Sequence, residues 1–175
     1  QCIDLSARLG RFAMEPTGAR AAVVHEDHIH LVDIAGSSDI RILAPRGRFA
    51  PLSLSPDEIW LVTWTQGSPD VEVWAVDNGD EKPFKTLPGL RHFAFSPDGR
   101  FFAARCWGPD PPAQGKVRVW ALPTRRMIAT LPNTDLFSEA FSPDGQLLVA
   151  GSAGGRMVSR WEVARWRPLP PLRQE

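Results

Sequence analysis

Short apolar runs recur along the chain, separated by clusters of Pro, Gly, Asp and Asn. In Val71-Glu72-Val73-Trp74 the two valines share one face of an extended segment, and Glu72 and Trp74 share the other. Val117-Arg118-Val119-Trp120 repeats the arrangement. No apolar stripe at helical spacing is sustained, so the pattern predicts strands. The first set falls at Phe12 to Met14 and at residues 19–25, 28–34 and 39–44. The second falls around Leu52 and Leu54 and at 59–65, 71–76 and 82–87. The third falls at 92–95, 100–106, 116–122 and 126–131. The fourth falls at 136–141, 146–151, 156–163 and 166–169, its last strand weakened by Pro168, Pro170 and Pro171.

The breaks between runs carry a repeat of their own. Phe95-Ser96-Pro97-Asp98-Gly99 recurs letter for letter as Phe141-Ser142-Pro143-Asp144-Gly145. Leu54-Ser55-Pro56-Asp57-Glu58 changes only its ends, and Met14-Glu15-Pro16-Thr17-Gly18 is a worn copy. Proline presets φ for the second position of a turn, and Asp-Gly tolerates the positive φ that follows, so each copy predicts a tight hairpin. The prolines at 16, 56, 97 and 143 lie 40, 41 and 46 residues apart. A second landmark runs in phase: Trp74, Trp120 and Trp161, with Val32 of Ile29-His30-Leu31-Val32 in the same frame. Two landmarks in register at this period indicate a repeat architecture. The one large length change lies in the third copy, where Cys106 to Gly115 reads as an enlarged loop.

A Phe-Ser-Pro-Asp-Gly turn, a strand of small and apolar residues and a Val-x-Val-Trp strand at this period resemble the WD-repeat β-propeller family. The resemblance covers about Arg11 to Leu169. The copies diverge from the family. Ala75, Ala121 and Glu162 stand where Asp usually follows the Trp, although Asp33 follows Val32. The usual Gly-His pair is missing, with Gly89 and His92 separated near its place. The resemblance implies an all-β fold of four-stranded antiparallel blades. Residues 1–10 would be the tail of a preceding repeat, followed by blades at 11–46, 47–88, 89–132 and 133–175. About four blades are expected, as part of a larger ring, with a head-to-head homodimer as the alternative. Trp74, Trp120 and Trp161 are expected to fill the spaces between blades.

Charge narrows the partners. Twenty basic and twenty acidic side chains cancel, so neither nucleic acid nor a membrane surface is called for. Cys2 and Cys106 form no metal pattern. The chain begins with Gln1, which suggests a piece of a longer protein, and a cytoplasmic location is expected. No cofactor is expected.

Candidate chemistry is sparse. His25, His28 and His30 are the one group with metal-ligand residue types, with His28 and His30 on the same side of a strand. The Glu26-Asp27 turn and the variable polar place that His30 shares with Glu72 and Arg118 favour a structural reading. No Gly-x-Ser-x-Gly, His-Glu-x-x-His or phosphate-binding glycine loop occurs. Asp57, Asp98 and Asp144 recur with the repeat, which assigns them to turns rather than to catalysis. Gly151-Ser152-Ala153-Gly154-Gly155 reads as a hairpin loop. The proline-rich loop that contains Trp107 could present a rigid aromatic anchor. By the resemblance, one rim would gather Trp107, Pro109, Asp110 and Arg156, with Arg48, Arg91 and His92 nearby. The expected function is a non-catalytic scaffold that binds a protein or peptide through this rim. The alternative is the propeller domain of a larger enzyme, such as a propeller-bearing serine peptidase, that gates or positions substrate.

Overall fold

The computed structural model describes residues 12–14, 20–25, 28–34, 41–43, 49–65, 70–76, 83, 85–106, 116–131, 136–152 and 156–173. These form four antiparallel sheets of four strands, each a simple meander in chain order. The first sheet contains β1 (Phe12–Met14), β2 (Arg20–His25), β3 (His28–Asp33) and β4 (Arg41–Leu43). The second contains β5 (Phe49–Leu54), β6 (Trp60–Thr65), β7 (Asp70–Ala75) and β8 (Lys85–Pro88). The third contains β9 (Leu90–Phe95), β10 (Phe101–Cys106), β11 (Val117–Ala121) and β12 (Arg126–Leu131). The fourth contains β13 (Leu136–Phe141), β14 (Leu147–Ser152), β15 (Met157–Glu162) and β16 (Arg167–Arg173). These are propeller-like blades. By its contacts the chain divides into two compact units, Gln1–Leu87 and Pro88–Glu175, each holding two sheets.

The hairpin turns are built alike. In the third sheet Ser96 N–H donates to the Phe101 carbonyl, and Gly99 N–H donates to the Ser96 carbonyl. Phe101 N–H in turn donates to Ser96 Oγ at 2.9 Å. That hydroxyl donates to Asp98 Oδ1 at 2.6 Å, and Arg100 N–H donates to the same carboxylate oxygen at 3.1 Å. Ser142 with Asp144, and Ser55 with Asp57, repeat the pattern. Proline has no N–H to place, and the short polar side chains satisfy the backbone at the tip. The residue after Asp must be left-handed. Gly99 and Gly145 both have φ of +68°, which glycine adopts without a Cβ penalty. Glu58 holds φ of +60° in the second sheet, where its carboxylate meets Arg20 at 3.0 Å.

The Trp frame also holds. Trp74 pairs with Leu61, Trp120 with Phe102, Trp161 with Leu148 and Val32 with Ala21. Trp74, Trp120 and Trp161 are 3%, 3% and 2% exposed. In the first unit Trp74 packs with Leu54, Leu61 and Val76 of its own sheet against Ala22, Ile29 and Leu31 of the first. In the second unit Trp161, Leu148, Ala150 and Val163 pack against Ala103, Val117, Val119 and Leu131 of the third sheet. Trp74 and Trp161 therefore fill the gap between consecutive blades. Trp120 packs its ring 5.9 Å from Phe102, which also meets Phe93 and Phe95.

One strand differs from expectation. The last strand is not a weak segment at 166–169 but the seven-residue β16, Arg167–Arg173, which runs through Pro168, Pro170 and Pro171. It is the outer strand of its sheet, where N–H positions facing away from β15 have no ladder partner, and its register shifts at Pro170 and Pro171. Arg160 reinforces it, its Nε and Nη2 both donating to the Pro170 carbonyl. Trp166 lies in the turn before it.

Candidate functional site

A meander places its first and third turns at one end of the sheet and its second at the other. In the second unit this brings together the β9–β10 and β13–β14 turns with the two outer turns, residues 122–125 and 163–166. Between them lies an open cleft of about 760 Å³. Phe101 and Trp166 line it, with Pro97, Pro143 and Ile128, and with the charged side chains Asp98, Arg100, Asp144 and Glu162.

Trp166 is its unusual member. The turn Val163-Ala164-Arg165-Trp166 contains no glycine, and Trp166 takes the left-handed position at φ +51°. A bulky residue there is strained. Arg125 does the same at +54° in the turn of the third sheet. The Trp166 ring stands edge-on to Phe101 at 5.3 Å and to Phe141 at 6.5 Å. These three half-buried rings close one end of the core between the third and fourth sheets.

The charges around the cleft are unequally engaged. Arg100 donates from Nε to Asp98 Oδ2 at 2.7 Å and lies 5.4 Å from the Phe101 ring centre. Partial desolvation pushes the Asp98 carboxyl up, but hydrogen bonds from Ser96 and Arg100 outweigh it and hold the group below its ordinary range. The Ser142 and Gln146 donors lower Asp144 in the same way. Both carboxylates therefore stay ionised. Glu162 Oε2 lies 3.7 Å from Arg167 Nε, too far for a hydrogen bond. It is shielded from solvent, and among the described residues it has no hydrogen-bond partner.

Away from the cleft, β13 carries a buried acid. Glu139 is 8% exposed, and burial pushes its carboxyl up to about 7 against the pull of Arg105, itself buried on β10.

The sequence pointed to the opposite end of the sheets. Trp107, Pro109, Asp110 and Arg48 lie outside the described residues. Arg91 and His92 are on β9, with His92 half-buried and paired in register with Arg105. Arg156 is exposed just before β15. His25 and His28 pair across β2 and β3, but their side chains lie outside the described set, and His30 is half-buried on β3. No group of three potential metal ligands occurs among the described residues. Trp166, Phe101 and Ile128 were not singled out by sequence. The signal available was spacing alone: Trp166 follows Trp161 by five residues, as Gly79 follows Trp74.

The comparisons agree with the repeat. An uncharacterized WD repeat-containing protein of Synechocystis sp. is 29% identical over 147 residues, which cover 79% of this chain. The match spans 40% of that relative's length. Hydrazine synthase of Kuenenia stuttgartiensis shares the fold over the whole chain with a TM-score of 0.61 and 17% identity, the match taking in 53% of its length. No protein-family model matches this chain.

Proposed function

We propose that this chain is a non-catalytic interaction scaffold that binds a protein or peptide partner on the loop-bearing ends of its blades. The observation that carries the reading is the open cleft of about 760 Å³, edged by a Trp held in a strained left-handed turn. Strain of this kind persists where surrounding contacts over-determine it, and such places concentrate at functional surfaces. The repeated Ser and Asp side chains support it too, because each Ser hydroxyl and one oxygen of each Asp are committed to turn geometry. The opposite end of the sheets, where Arg156 is exposed, is a second binding surface within the same reading.

The test is affinity capture with the full chain, identification of the retained protein, and titration of that purified protein against wild type, Trp166→Ala and Trp107→Ala. The reading expects micromolar or tighter binding that one variant abolishes while the thermal transition is retained. Failure of any purified candidate to bind at that concentration would refute it.

A further inference from the structure

We propose that the cleft between the third and fourth sheets takes a basic peptide segment, with a Lys or Arg seated between Asp144 and Glu162 and a neighbouring apolar side chain against Ile128 and Trp166. The inference rests on the scaffold reading and adds the chemistry of the partner. Three observations favour this occupant. First, the lining holds three carboxylates and one guanidinium, and Arg100 is already engaged by Asp98 and lies against Phe101. The lining therefore carries an excess of negative charge, although Arg167, outside the lining, approaches Glu162 to 3.7 Å. Second, the remaining acids have capacity to accept. Glu162 turns Oε2 inward beside Arg167, while its side chain as a whole keeps 36% exposure and lines the cleft. At Asp144 both turn hydrogen bonds fall on Oδ1, so the turn does not use Oδ2. Third, the walls between the acids are apolar, and Ile128 is 43% exposed. A bare metal ion gains nothing from such walls. The aliphatic stem of Lys or Arg does, while its charged head reaches the carboxylates. An aromatic ring beside the path adds a favourable face for a cation.

The experiment is fluorescence anisotropy of the full chain with a short labelled peptide of alternating Lys and Leu, and with the same peptide carrying Glu for Lys. The Lys peptide is expected to bind, and more weakly as salt rises. The Glu peptide is not. Glu162→Gln and Asp144→Asn together should weaken binding about tenfold or more. Asn can still form the turn, so thermal melts should shift little. Ile128→Ser should weaken binding without altering its salt dependence. Equal binding of the two peptides, or unchanged affinity in the double variant, would overturn the proposal. A natural partner retained equally by wild type and the double variant would also overturn it, yet leave the scaffold reading standing. Basic-peptide binding with no natural partner would do the reverse.

Discussion

Trp74 and Trp161 occupy the same place in two blades, and they differ in whether the indole N–H is satisfied. Each is a buried ring between consecutive sheets. Trp74 Nε1 donates to Thr63 Oγ1 at 2.9 Å, and Thr63 is itself buried. Two residues beyond the Trp partner in the fourth sheet stands Ala150, and Trp161 Nε1 is buried with no acceptor among the described residues. Shape is therefore repeated from blade to blade, while hydrogen-bond satisfaction is not. The volume of an indole can be matched by many apolar neighbours, but its N–H requires one acceptor at one place.

The largest effect should come from removing the ring. Trp74→Ala is expected to lower stability by about 3–5 kcal/mol in chemical denaturation, through lost burial and the cavity left behind. Trp161→Ala should cost less, because it also removes an unsatisfied donor. Equal losses would break the comparison. Next, Thr63→Val should cost about 1–3 kcal/mol by stranding the Trp74 N–H. Ala150→Ser should go the other way, by up to about 1 kcal/mol, if the new hydroxyl reaches Trp161. A loss there would mean that packing around Ala150 tolerates no added atom.

The second unit should also respond to pH through Glu139. Glu139 has a folded pKa raised from 4.5 to about 7. Below the unfolded value it is protonated in both states and has no effect. As pH rises from about 4.5 to 7 the unfolded chain releases the proton first, so stability falls, by an order of 1–3 kcal/mol. Denaturation curves across that window should flatten in Glu139→Gln. The smallest effect belongs to Glu58. Glu58→Gly relieves the left-handed strain but loses the Arg20 ion pair, which is half-exposed. The net change should lie within about 1 kcal/mol, with a gain indicating that strain outweighs the pair.

The strand frame was legible because its signals are local. Pro-Asp-Gly marks a hairpin within a few residues, and alternation marks the strand that follows. The enlarged third-copy loop could be located in the sequence, but the cleft could not. Its walls come from Phe101, Ile128 and Trp166, which are far apart in the chain and meet only when two sheets pack. Trp166 was misleading for a further reason. Ala164-Arg165-Trp166 has no turn former, so the aromatic read as the first residue of a strand rather than as a strained corner. Glu139 and Arg105 were silent for the same reason as the cleft, since only packing brings them together.

The Ser-Pro-Asp turns have a kinetic consequence. Every hydrogen bond of the Ser96 tip, from Ser96 to Phe101, closes within six consecutive residues. Such a tip can form before any distant contact, at little loop-closure entropy. Hairpins seeded there would then collapse onto each other, and the tryptophans would be the last pieces to lock. Defects in the tips should slow the approach to the native state, whereas defects at the indoles should hasten departure from it.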